Sequence, residues 1–173
     1  MKLKILQTNG NILVDAEILN SKSTSLILPS ITDGWRFNFR KHSKGLGYQT
    51  YVLTSEDTPK TIEGCLIFQM KYKREPYMAF VEVAPHNKGV NKKYQSVAGC
   101  LIAYACRLSF IHGHNDYEGY LAFDVQEEDK QHEIKLMALY STKYYALRYG
   151  KTSMIIPPKG GQKLIDEFIN NGL

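Results

Sequence analysis

The stretch VEVAPHNKGVNKKYQSVAGCLIAYA, residues 81–105, decides the fold. It begins inside a strand. In PYMAFVEVAP (76–85), alternation puts Tyr77, Ala79, Val81 and Val83 on one face and Met78, Phe80 and Glu82 on the other. Pro85 has no amide hydrogen to give to a ladder, so the strand stops there. A polar loop carrying Lys88, Lys92 and Lys93 follows. From about 96 to 110, Val97, Leu101, Ala105 and Leu108 recur as the apolar stripe of a helix. The small residues Gly99, Ala103 and Ala105 would let that helix lie close on a sheet. Ser96, Ala98 and Gly99 also leave backbone N–H groups uncovered at its positive end. With the three lysines, the loop becomes a seat for a pyrophosphate. The same pattern equally describes a solvated lysine loop ahead of an ordinary core helix.

Working outward, YQTYVLT (48–54), TIEGCLIFQMKY (61–72) and 76–85 read as three consecutive strands, an antiparallel meander with a turn at DTP (57–59). KLKILQ (2–7) and NILVDAEIL (11–19) read as two earlier strands. Between them and the meander, Ile31, Trp35 and Phe39 stand at helical spacing beside Arg36 and Arg40, which favours a helix with one apolar and one basic stripe. Trp35, Phe37 and Phe39 also alternate, as a strand would. Downstream, GYLAFDV (119–125) reads as a strand and QEEDKQHE (126–133) as a polar connection. A helix follows in LMALYSTKYYALRYG (136–150), starting near Lys135 or capped later by Ser141 or Thr142, with Gly150 as its C-cap. TSMII (152–156) is a strand and GQKLIDEFI (161–169) a short last helix.

The 173 residues, 43% hydrophobic and 23% charged, suit one domain (1–173) with a core of its own. No repeat or linker divides them. No apolar run reaches membrane-spanning length, and MKLKILQTNG lacks the apolar segment of a signal peptide, so the expectation is a cytoplasmic protein. The three cysteines, Cys65, Cys100 and Cys106, lack metal-ligand spacing and read as buried thiols. A net charge of +5 favours anionic partners without naming one.

Residues 81–105 resemble the motif of the GNAT N-acetyltransferase superfamily, Arg/Gln-x-x-Gly-x-Gly/Ala opening a helix after a strand that ends near a proline. The matching register is Lys93-Tyr94-Gln95-Ser96-Val97-Ala98, followed by the apolar pair Leu101-Ile102. Lysine stands for Arg/Gln and Ser96 for the first glycine, so the chain is similar to a divergent member. The order of later elements agrees over about 60–157. The resemblance implies an α/β fold of α+β type: a mixed, mostly antiparallel sheet flanked by helices and splayed between two parallel strands, here 77–83 and 119–125. It also implies acetyl-CoA as cosubstrate, bound by Val83, Lys88, Lys93, Tyr94, Gln95, Ser96, Val97, Ala98 and Gly99, and an amine acceptor that attacks the thioester directly.

The resemblance implies a tyrosine acid four or five residues before the glycine that closes its helix. That is Tyr145, five before Gly150, with Tyr144 as its neighbour. Glu82, at the strand's C-terminal end, is the candidate base; His86 and a water are its competitors. His112-Gly-His114 reads as a surface loop rather than a metal site. Two other readings compete: a non-catalytic GNAT-like domain binding CoA or a protein, and a basic nucleic-acid-binding module built on QMKYKREPY (69–77). The modest charge and the lack of a nucleic-acid motif argue against the last. Oligomeric state and the kind of amine are left open by the sequence.

Overall fold

A computed structural model describes residues 1–170. Strands β1 (Lys2–Gln7) and β2 (Ile12–Asn20) form a hairpin whose turn places Gly10 and Asn11 at positive φ. Leu3, Ile5, Val14, Ala16 and Ile18 turn inward by the two-residue period. The meander follows as β3 (Gln49–Ser55), β4 (Gly64–Lys71) and β5 (Glu75–Val83). Among the described residues nine strands, including β6 (Tyr94–Gln95), β7 (Leu121–Asp124), β8 (Leu147–Arg148) and β9 (Ser153–Ile156), make one sheet in the order β6-β1-β2-β3-β4-β5-β7-β9-β8. Among the described residues only β5 and β7 (Leu121–Asp124) run parallel; every other pairing is antiparallel. The α+β architecture expected from the sequence is present.

The helix expected around Ile31–Phe39 does not form. Residues Ile31–Asp33 make a single 3₁₀ turn, closed when Asp33 takes the amide and hydroxyl hydrogens of Ser30. Gly34 then leaves it at φ 80°. Only one helical turn, α1 (Phe39–His42), follows, capped by Asn38 accepting from the Lys41 amide. Trp35 and Phe39 are buried as anchors of a strap, their rings edge to face at 5.7 Å. With Cys65, Ile67 and Ala84 they form a small core on one sheet face.

The other face carries the main core under α2 (Val97–His112). Gly64 on β4 is what lets this helix settle: a Cβ there would lie 2.7 Å from Leu101 Cδ1 and 2.8 Å from Val97 Cγ1. The pleat of β5 breaks where Ile67 faces Phe80 but Phe68 faces Met78, which makes Ala79 the extra residue of a bulge. Met78 and Phe80 therefore fall in different cores, against the shared face expected from alternation.

Strand β6 (Tyr94–Gln95) pairs with β1. Helix α3 spans Lys130–Tyr144, beginning inside the stretch read as a polar connection because Asp129 caps the Gln131 amide. It ends at Tyr145, which adopts φ 55°. Gly150 is not its cap. That glycine turns the hairpin from β8 (Leu147–Arg148) to β9 (Ser153–Ile156). Helix α4 (Pro158–Ile165) and a terminal π-turn, Asp166–Asn170, pack on α2. No helix among the described residues is long and apolar enough to cross a membrane.

Candidate active site

Strands β5 and β7 share one bridging pair, Tyr77 with Ala122. Beyond it β5 stays with β4 and β7 stays with β9, and the sheet opens into a cleft of about 530 Å³. Ala84 donates its amide to Glu63 on the β4 side. Strand alternation then turns the amides of Val81 and Val83 toward the open side. Extended backbone with free hydrogen-bonding groups lines one wall. Arg36, Asp124, Glu127 and Tyr140 project from the others.

The strap around Arg36 is fastened to β5 by Glu82. This buried carboxylate accepts the amides of Arg36 at 2.8 Å and Phe37 at 3.0 Å, and the Lys88 ammonium at 2.5 Å. Its acceptor positions are thus largely filled by the fold, an arrangement suited to holding a loop rather than receiving a substrate proton. The Arg36 side chain continues across the cleft, pairing with Glu127 and donating to the Gln126 carbonyl at 3.2 Å.

Three tyrosines at the end of α3 divide between environments. Tyr145, 38% exposed, lies over Gly160 with Lys163 Nζ 5.1 Å from its ring centroid, and is not in the cleft. Tyr144 is buried beside Tyr140, centroids 5.7 Å apart, and burial drives its phenol well up from the ordinary value. Tyr140 packs on Phe123 at 4.8 Å and forms part of the cleft wall. Burial, aided by the Glu127 charge and opposed by Arg36, pushes its phenol up to about 12, so it keeps its proton at neutral pH.

At the closed end of the split, Asp124 accepts from Tyr77 at 2.7 Å and Ser153 at 2.6 Å. Burial acts to raise its carboxyl, but the hydrogen bonds from Ser153 and Tyr77 and the Lys71 charge outweigh this and hold it below the ordinary range. Lys71 Nζ sits 3.3 Å from the Tyr77 ring centroid. Two members of the aromatic–lysine stretch are thereby turned on each other, while Tyr72 stands exposed at the hairpin turn.

The residues read as a pyrophosphate seat are not brought to this cleft. Lys88 is engaged by Glu82. Tyr94 is buried, its hydroxyl on Ser55 at 2.9 Å and its amide on Asn87, while Gln95 pairs with Leu6. Lys93 Nζ lies 4.8 Å over the Tyr94 ring. Ser96 caps α2 at φ 67° with its side chain unengaged, Val97 meets Gly64, and Gly99 abuts the Phe168 ring. Val83 turns its amide to the open side of the split beyond the cleft wall, and Ala98 lies outside that wall. His86 is tied to the buried Glu63 carboxylate at 2.5 Å, which also holds Asn87 and Thr58. The loop is pinned to the sheet by this network.

All three cysteines are free and buried; burial raises Cys100 and Cys106 to about 12 and Cys65 well above the ordinary thiol value. Among the described residues no group of three His, Cys, Asp or Glu could hold a metal. Asp124, Glu127 and Tyr140 are charged and phenolic cleft residues for which sequence patterns suggest no role, whereas Arg36 belongs to the Trp35–Arg40 stripe that could line an acceptor site or anchor the core with a solvated basic face. For Tyr140 a signal existed. It lies five residues before Tyr145, the residue that truly closes α3.

A mixed, mostly antiparallel sheet flanked by helices and opened, among the described residues, at one parallel pair is the fold of the GNAT acetyltransferases, and this chain carries that fold in divergent form. The KacTA–DNA complex superimposes at a TM-score of 0.57 with 13% identity, covering 88% of this chain and 99% of that one. A mutant of the spermidine N-acetyltransferase SpeG from Vibrio cholerae gives 0.53 and 14%, over 84% and 95%. The spermidine N-acetyltransferase from Vibrio cholerae in complex with CoA and spermine gives 0.50 and 15%, over 72% and 73%. No family model matches the sequence, and no curated protein matches it significantly.

Proposed function

We propose that the chain is a single-domain N-acyltransferase that passes an acetyl group from acetyl-CoA to an amine by direct attack. The observation that carries this reading is the split between β5 and β7 with Tyr140 in its wall. A pantetheine arm is an extended chain with two amides, and it suits a wall of strand backbone whose hydrogen bonds are unmade. The Val81 amide would polarise the thioester carbonyl as negative charge develops on its oxygen. As the amine nitrogen bonds to the carbonyl carbon, the carbon–sulfur bond breaks and the thiolate takes the Tyr140 hydroxyl proton. The proton shed by the amine passes to water in the open cleft and restores the tyrosine. Asp124 and Glu127 supply negative charge for a cationic acceptor. The CoA and spermine in the Vibrio cholerae structure of the same fold support this pairing of donor and acceptor classes.

The test separates binding from chemistry. Tyr140→Phe keeps the ring on Phe123 and removes the transferable proton. Calorimetry should find CoA bound as in the parent. Turnover with an accepted amine, found from a panel of polyamines, amino acids and short peptides, should fall about 10²-fold. Tyr145→Phe should leave both unchanged. Loss of turnover in Tyr145→Phe alone would return the acid role to that residue.

A further inference from the structure

The cleft has two halves, one on each side of the sheet. Phe123, Leu136 and Tyr140 belong to the half on the main-core side, whereas Phe37, Tyr48 and Phe80 bring three rings to the half under the strap. The bulge at Ala79 sets this up, because it turns Phe80 to the strap face immediately beside Val81. The rings are held in place. Phe37 meets Phe80 edge to face at 5.1 Å, and His42 stacks on Phe80 at 4.3 Å. Tyr48 lies over Gly45, where a Cβ would come within 2.6 Å of its ring. All three cleft rings are still only partly buried, which leaves surface for a guest. We propose that the strap half takes the acceptor, and that the acceptor is a monoamine carrying a flat aromatic group rather than a polyamine; this rests on the acyltransferase reading above.

Two features support it. The first is the wall itself. Aromatic rings gain from edge-to-face and offset contact with one another beyond the area they bury. An acceptor ring set against Phe80 leaves its amine next to the Val81 amide, where the thioester carbonyl would lie. The second is charge. Arg36, Lys71, Asp124 and Glu127 line the cleft, two of each sign. Glu127 is paired with Arg36, while Lys71 lies over the ring of Tyr77, whose hydroxyl is on Asp124. One ammonium finds a carboxylate in such a site. The further ammonium groups of a polyamine meet Arg36 and Lys71, and like charges brought together in a partly closed site oppose binding.

Calorimetry on the full chain saturated with coenzyme A reads acceptor binding without turnover. The parent should bind 2-phenylethylamine roughly tenfold tighter than spermidine. It should also prefer 2-phenylethylamine to 2-cyclohexylethylamine, which is as apolar but not flat. With acetyl-CoA, kcat/KM should follow the same order. The tripeptide Phe-Ala-Ala carries the same ring on a peptide N-terminus: a higher kcat/KM for it than for 2-phenylethylamine assigns the ring to a peptide, a lower one to a free amine, and spermidine should fall below both. Phe80→Leu keeps an apolar side chain and removes the ring, so it should weaken 2-phenylethylamine about fivefold while coenzyme A binds as in the parent. Phe80→Tyr should restore the preference. Spermidine bound as tightly as 2-phenylethylamine by a parent that holds coenzyme A would overturn the aromatic acceptor and leave the donor reading standing. A parent that binds neither coenzyme A nor any of the amines would overturn the acyltransferase reading, and the acceptor class with it.

Discussion

Replacing Glu82 distinguishes an anchoring carboxylate from a catalytic one. Glu82→Ala removes the acceptor from the Arg36 amide at 2.8 Å and the Phe37 amide at 3.0 Å. Each orphaned, partly buried donor costs about 1–3 kcal/mol. Water reaches this edge of the strap, so the lower half of that range applies, about 2–4 kcal/mol for the two. The half-exposed Lys88 adds little, since its ammonium can turn to solvent. With a urea m-value of about 2 kcal/mol/M, the midpoint should drop by roughly 1–2 M. Glu82→Gln retains one acceptor oxygen and should lose about half as much. Hydrogen exchange at the Arg36 and Phe37 amides should accelerate in both variants, ahead of the sheet. Because the strap forms one wall of the proposed donor cleft, KM for the donor should rise more than kcat falls. A Glu82→Gln protein with the parent's midpoint and protected amides, yet with turnover abolished, would refute the anchor and restore the base.

Phe168→Ala should destabilise the fold by about 3–5 kcal/mol, because the buried ring lies against Gly99 and α2 has no side chain there to close the gap; thermal unfolding measures it. Asp124 has a depressed carboxyl, so its contribution to stability is complete above the unfolded value near 3.9 and is lost as pH falls through the folded one. Asp124→Asn should therefore flatten the decline in melting temperature below about pH 4, and an unchanged acid limb would contradict the assigned cause.

Most strands were legible because their alternation is local, and α2 because its stripe runs four turns. The misreadings came from single residues whose effect is not periodic. One extra residue at Ala79 reverses the faces of β5, and nothing in PYMAFVEVAP marks it. The strap was mistaken for a helix because Ile31, Trp35 and Phe39, spaced by four, satisfy helical spacing while a Ser30–Asp33 box and Gly34 end the turn before Trp35. For the site, counting five residues back from Gly150 leads to Tyr145, whereas counting from the residue that closes α3 leads to Tyr140, which lines the cleft. A tyrosine, not a glycine, takes the left-handed closing position of α3, at a cost that sequence patterns discount. Arg36 and Glu127 are 91 residues apart, and their meeting follows from the strand order alone.

The sheet's two margins have a further consequence for the chain in a crowded solution. Each margin ends in a strand of two residues, β6 at one end and β8 at the other. On the β6 side the turn at Asp166–Asn170 packs alongside β1. On the β8 side the Arg148 guanidinium folds back onto the carbonyls of Gly150 and Lys151. A second molecule approaching either rim finds little backbone to zip onto, so the protein resists strand-by-strand stacking into aggregates. The long stretch of unsatisfied strand lies instead inside the β5–β7 split, too narrow to admit another sheet and shaped for a slender guest.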